Sequence, residues 1–175
     1  MKWSITTTLM LSSILFCGAN LNSISLAVQR RDGSVSFVKS PRLQEVVTTF
    51  NGTNVPYAKY YFTILLPEDI GEPLQQIAIQ QREGMEDIKF DLDKTLAFLG
   101  TRGDRQTSIQ IKSVEQKEEG ENNNTILITL AEPIAPGNTV TLSLKPKRNP
   151  RYGGVYLFGV IVYPAAKLPY GLYIG

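Results

Sequence analysis

Acid–base and nucleophilic chemistry at neutral pH rests most often on histidine or cysteine. This sequence has no histidine and one cysteine, Cys17. Composition therefore excludes Ser-His-Asp and Cys-His catalysis and imidazole metal sites. What chemistry remains falls to carboxylates. Glu83, Glu86 and Asp87 cluster in the stretch EGMED, and the acids continue through Asp91 and Asp93. A hard cation such as calcium takes about six to eight oxygen ligands, and Glu83, Asp87 and Asp91 are the candidate metal ligands. Glycoside hydrolysis uses two carboxyl groups about 5 to 9.5 Å apart, a range that same-face strand neighbours such as Asp91 and Asp93 satisfy by spacing alone. Against both uses, Asp87, Lys89, Asp91 and Asp93 alternate with Ile88, Phe90 and Leu92. That is the pattern of a strand with one solvated charged face, which Lys89 and Lys94 partly neutralise. The calcium-loop pattern D-x-[DN]-x-[DN]-G is absent. The residues favour no enzyme, assign no catalytic residue and imply no cofactor.

Two further groups suit binding rather than catalysis. Lys145-Pro146-Lys147-Arg148-Asn149-Pro150-Arg151 carries four cations in seven residues. Its prolines exclude a central strand, so it reads as an exposed loop. Lys147, Arg148 and Arg151 would meet an anionic partner there, such as an acidic polysaccharide or a lipid headgroup, although a solvated connection between strands accounts for the same residues. Arg30, Arg31, Arg102 and Arg105 would extend the patch if the fold brought them near. Tyr152, Tyr170 and Tyr173 flank an apolar run and form a binding patch if they are exposed together. Net charge is +2, with the cations scattered, so no nucleic-acid footprint is evident.

The elements that position these residues are short strands. Val35 and Phe37 lie at strand spacing; Leu43 to Phe50, Tyr57 to Leu66, Leu74 to Gln81, Thr107 to Val114, Ile126 to Leu130 and Thr139 to Leu144 are β-branched, aromatic or alternating. The Pro133 to Asn138 turn suggests that the last two pair as a hairpin or as near neighbours. Glu115 to Thr125 is a charged, Asn-rich loop, and Asp93 to Phe98 is the best place for a turn or two of helix. Val155 to Tyr163 is too short to span a bilayer as a helix and reads as a central core strand apolar on both faces. About eight or nine short strands indicate an all-β fold, an immunoglobulin-like antiparallel β-sandwich with little helix. The Cys…Trp…Cys fingerprint of antibody domains is missing, since the one Trp is Trp3.

The first 27 residues read differently. Lys2, a short apolar run from Ile5 to Phe16 and the small-x-small exit Ser25-Leu26-Ala27 make a secretory signal peptide. This leaves residues 28–175 as one domain. Cys17-Gly18-Ala19 offers a second cleavage site, and lipidation at Cys17 is disfavoured by the bulky Phe16 before it. The processed protein is expected in the periplasm or outside the cell, not embedded in a membrane, with an envelope polysaccharide, a lipid headgroup or another envelope protein as its partner. Asn51 and Asn123 fit the N-glycosylation pattern but lie where turns place Asn anyway.

Several strings together resemble one family, the secreted cyanobacterial proteins called domain of unknown function 2808. They are Ser36-Phe37-Val38 with Pro41-Arg42-Leu43, Ala58 to Phe62 through Leu66-Pro67, and Gly71 to Leu74. QQREGMEDIKFDL (Gln80 to Leu92) is the densest, followed by Gly100-Thr101-Arg102, Pro136 to Thr141, RNPRYGGVYLFGVIVYP (Arg148 to Pro164) and Pro169 to Tyr173. The resemblance covers nearly all of residues 28–175 and implies export from a photosynthetic bacterium; it brings no activity and no site residues. Size, leader and all-β build are also similar to small exported copper-resistance sandwiches, whose metal sites use the histidine that this sequence lacks.

Overall fold

The structure is a computed structural model that describes residues 28–118 and 124–175. The expected signal peptide, Cys17 and the Asn123 acceptor lie outside the described residues. The strands are β1 (Val28–Gln29), β2 (Val35–Ser36), β3 (Arg42–Thr48), β4 (Tyr60–Leu65), β5 (Leu74–Glu83), β6 (Leu96–Gly100), β7 (Arg105–Ile109), β8 (Ile111–Glu118), β9 (Asn124–Ile134), β10 (Thr139–Leu144), β11 (Leu157–Pro164) and β12 (Leu172–Tyr173). One 3-10 turn, Leu92–Lys94, is the only helical piece among the described residues. β1 and β2 form a small pair, and the other ten strands make two antiparallel sheets ordered β3-β4-β10-β6-β7 and β12-β11-β5-β9-β8.

Within these sheets, β3-β4-β10-β6 over β12-β11-β5 reproduces the ABED and GFC strand orders of a constant-type immunoglobulin domain. β7, β8 and β9 are inserted between the fourth and fifth strands of that frame and widen both sheets. The expected all-β sandwich is thus the fold. Its cause is period-2 alternation: Tyr60, Phe62 and Ile64 of β4, Ile77 and Ile79 of β5, Ile126, Ile128 and Leu130 of β9, Val140, Leu142 and Leu144 of β10, and Val160 and Val162 of β11 are all buried. Each aliphatic side chain so buried stabilises the fold by about 1.5–3 kcal/mol.

Several elements depart from the sequence expectation. Thr107 to Val114 is two strands, because the chain turns a corner at Gln110 and passes from one sheet to the other. Alternation does not register that corner, since Ile109 and Ile111 pack on the core from both sides of it. β9 and β10 are not a hairpin: β9 pairs with β5 and β8, β10 with β4 and β6. The Pro133–Asn138 turn crosses between sheets and is tied to the end of β4 by Gly137 N–H to the Leu66 carbonyl at 3.0 Å. The helix expected over Asp93 to Phe98 shrinks to the 3-10 turn, because Leu96 onward is drawn into β6 by pairing with β10. The Asp87 to Asp93 stretch keeps its alternation, with Ile88 and Phe90 inward, but it is a loop with a single bridge from Phe90 to Pro146.

The apolar run near the C-terminus also corrects the expectation. Its strand starts at Leu157, and Val155 is 75% exposed. β11 lies next to the sheet edge, flanked there by β12 and by Ile174 and Gly175, whose backbones bond Val160, and only its Val160 and Val162 face belongs to the core.

Candidate functional site

β3, β5 and β10 all end at the same end of the sandwich, so the loops 49–59, 84–95 and 145–156 that follow them meet there. Loop 145–156 lies between the other two and is bonded to both. On one side, the buried Asn149 amide donates to the carbonyls of Phe50 (2.9 Å) and Gly52 (2.8 Å), and its oxygen accepts from the Tyr60 hydroxyl (3.2 Å). Asn149 N–H donates to the Val55 carbonyl and Asn54 N–H to that of Pro150, with Asn54 held in the left-handed region at φ 59°. On the other side, Lys147 N–H donates to the Lys89 carbonyl and Arg151 N–H to a Glu86 carboxylate oxygen at 2.7 Å. Gln81, buried at the end of β5, completes the frame by donating to the Glu86 carbonyl and accepting from Ile88 N–H, both at 2.9 Å. The loop expected to be solvated therefore has a packed backbone: Pro146, Asn149 and Pro150 are buried, while Lys147, Arg148 and Arg151 reach into solvent.

Two clefts share this loop as their common wall. The first, about 250 Å³, is lined by Val46 to Thr48, Asn51 to Thr53 and the tyrosines Tyr60, Tyr152 and Tyr156, with Phe158 and Asn149. Phe158 meets Tyr60, Phe62 and Phe90 edge-on at 5.6 to 6.4 Å between ring centres, which fixes the aromatic floor to the core. Tyr156 donates its hydroxyl to the Tyr152 carbonyl at 2.9 Å, and its ring lies so close to Gly84 that a Cβ there would fall 2.3 Å from it. Burial raises the Tyr60 phenol above its ordinary pKa, with Tyr156 adding to the effect; burial also raises Tyr156, with the Glu86 charge adding. Tyr152 stands at the rim, 58% exposed.

The second cleft, about 460 Å³, is lined by Glu86, Asp87, Ile88, Lys89, Lys147, Arg148 and Arg151. The acidic stretch and the basic stretch, separate in the sequence, thus form one mixed site. Among the described residues the ion pairs are Lys39–Asp69 and Lys94–Asp91, so none of these four cations is engaged in one. Asp91 lies outside this cleft. Its hydrogen bond from Lys94 holds the carboxyl below the usual carboxylate range, aided by the charges of Lys94, Lys145 and Lys147. Glu83 lines a separate hollow with Gln81, Arg82, Gly84 and Asp87. Glu83, Asp87 and Asp91 are therefore not gathered into one ligand set, and no group of three acids able to hold a metal occurs among the described residues.

The three tyrosines proposed as one patch are exposed but apart. Tyr152 precedes β11 at the loop end described above. Tyr170 follows it at the opposite end, with the Arg30 guanidinium 3.8 Å above its ring and its N–H donating to Val35. Tyr173 lies on the edge strand beside Gly159 and the Arg82 stem. Arg102 and Arg105 sit over Tyr61 and Phe98, and none of the distant arginines joins the basic loop. Sequence reasoning missed Tyr60, Tyr156, Asn149 and Gln81 as site residues. For Tyr60 and Tyr156 the available signal was a hydroxylated side chain inside an apolar run, while Asn149 and Gln81 sit in polar stretches that carry none.

The family model described as "Protein of unknown function (DUF2808)" matches residues 34–175. No curated protein matches the sequence. Among solved structures, one similar chain comes from the structure of manganese lipoxygenase of Gaeumannomyces graminis and zonadhesin of Komagataella pastoris. It has 15% identity and a TM-score of 0.43 over 74% of this chain and 45% of that one, so the match spans less than half of its length. Another is a family 3a carbohydrate-binding module from the CipA scaffolding of Clostridium thermocellum, with 12% identity and a TM-score of 0.39 over 76% of this chain and 100% of that one.

Proposed function

Because the chain belongs to the DUF2808 family of proteins of unknown function, we propose from its own site that it is a non-enzymatic binding module that takes a sugar chain in the tyrosine-lined cleft. The observation that carries this reading is the cleft itself, lined by the exposed Tyr152, by the more buried Tyr60, Tyr156 and Phe158, and by Asn51 and Thr53. Sugar rings combine apolar faces with hydroxyl edges. Tyrosines meet both needs at low cost in side-chain entropy, while short polar side chains take the hydroxyls. The bonds around Asn149 set the cleft in place before a ligand arrives, which limits the ordering cost of binding.

The proposal includes export. Lys2, the apolar run and Ser25-Leu26-Ala27 support work in the periplasm or cell envelope. The calcium and carboxylate-hydrolase alternatives gain no comparable support, since Asp91 is occupied by Lys94. The test is calorimetric titration of the purified protein with a panel of hexasaccharides. Binding weakened about tenfold or more by Tyr152→Ala is expected, the loss typical of an exposed aromatic anchor. Binding that is indifferent to Tyr152→Ala would remove the cleft from the argument, and no binding to any member of the panel would remove the sugar.

A further inference from the structure

We infer that the ligand of this site is an acidic glycan, with a sugar ring in the tyrosine cleft and a carboxylate or sulfate of the same chain in the neighbouring cationic cleft. This rests on the cleft reading above and adds the charge of the ligand to it. Three observations point there.

The first is that one short segment of chain lines both clefts. Along the segment 147–152, Lys147, Arg148 and Arg151 line one cleft while Asn149, Pro150 and Tyr152 line the other. A chain lying across this segment meets tyrosine on one side and guanidinium groups on the other. Since consecutive residues supply both surfaces, the distance between them is fixed by the backbone, and that backbone is bonded on both flanks.

The second is the distribution of charge. Loops 84–95 and 145–156 hold six cations (Lys89, Lys94, Lys145, Lys147, Arg148, Arg151) against four carboxylates (Glu86, Asp87, Asp91, Asp93). That difference of two equals the net charge of the whole chain, with 12 cations and 12 carboxylates left elsewhere. The two loops are therefore net cationic, six charges to four.

The third is that the internal acids leave the cations free. Asp91 is held by Lys94, and one Glu86 oxygen is taken by the Arg151 backbone N–H. The side chains of Lys147, Arg148 and Arg151 are exposed and enter no ion pair among the described residues. Arginine presents a planar fork that matches a carboxylate or sulfate in two-point geometry.

A bilayer of anionic lipid offers the same charge but a different shape. A flat headgroup surface meets the convex loop tips and leaves a concave aromatic floor unused. The glycan uses both surfaces.

The deciding experiment titrates the purified protein with a galacturonic acid hexamer and with an uncharged glucose hexamer, at low and at about 0.5 M salt, where exposed charges are screened within a few ångströms. The acidic hexamer is expected to bind at least about tenfold more tightly at low salt and to lose that advantage at high salt. Arg148→Gln with Arg151→Gln is expected to remove the advantage, leaving the neutral hexamer and the melting temperature unchanged. Tyr152→Ala is expected to weaken both ligands. Equal affinity for the two hexamers, with both lost in Tyr152→Ala, overturns the acidic ligand and leaves the cleft reading intact. A preference for the acidic hexamer that survives the arginine double variant also overturns it. If neither hexamer binds, both readings fall, and sedimentation of the protein with phosphatidylglycerol vesicles in that case assigns the cations to a membrane surface instead.

Discussion

Asn149→Ala tests whether one buried amide holds the loop end together. The side chain is 3% exposed and makes three hydrogen bonds: to the carbonyls of Phe50 and Gly52 and from the Tyr60 hydroxyl. The three groups lose different amounts. The Phe50 carbonyl keeps the Thr48 hydroxyl as a partner at 2.9 Å, and Gly52 is exposed enough for water to replace the amide. Tyr60 is 9% exposed, so its hydroxyl loses its partner without ready access to solvent. Net hydrogen bonds contribute about 1 kcal/mol each and an orphaned buried hydroxyl costs about 1–3 kcal/mol, which gives a destabilisation of about 3 kcal/mol. For a domain of roughly 150 residues this lowers Tm by about 6–12 °C. The assay is thermal unfolding of wild type and variant, followed by urea titration with an unchanged m-value. A double-mutant cycle with Tyr60→Phe sharpens it, because the cost of Asn149→Ala should drop by about 1 kcal/mol once the hydroxyl is gone. A fall in Tm below about 2 °C, less than a loss of about 1 kcal/mol produces, or strict additivity with Tyr60→Phe, would refute the reasoning.

Other perturbations follow from the same geometry. Burial raises the folded-state pKa of Tyr60 above its ordinary 10.0, so the folded chain holds that proton more tightly than the unfolded one. Stability is then full below pH 10 and falls as pH rises past it; Tyr60→Phe should flatten that alkaline limb in urea midpoints measured across pH, and an unchanged slope would count against the burial argument. Phe62→Ala empties a fully buried position that supports Phe158 at 5.6 Å, and an unfolding free energy lower by about 3–5 kcal/mol is expected from denaturant titration. Gly100→Ala meets both a φ of +90° and the Asp104 carbonyl 2.1 Å from the new Cβ, so a loss of at least about 2 kcal/mol is expected by the same titration, and a neutral result would show that β6 and β7 part easily.

The class of fold was legible because alternation is a local signal. Leu142 and Leu144, or Ile77 and Ile79, point inward whatever strand lies beside them, and the core positions were found on that ground. Partners were not legible. Ile126 to Leu130 and Thr139 to Leu144 look like a hairpin by length and turn, yet a short connection can cross between sheets as well as within one, and it crosses here. The site was half legible: Tyr152, Lys147, Arg148 and Arg151 lie on it, while Tyr170 and Tyr173 sit elsewhere and Asp91 is bound to Lys94.

By itself the sequence determined that histidine chemistry is excluded, that the chain folds as β-strands, and which faces of those strands are apolar. These follow from residue identity and from a two-residue period. Only the tertiary structure decided that the acidic and basic stretches face one another across a cleft, and that a tyrosine-lined cleft adjoins it. The reason is separation along the chain. Tyr60 meets Asn149 across 89 positions and Glu86 meets Arg151 across 65. Pairs so distant leave no periodic trace, and sheet order alone brings them together.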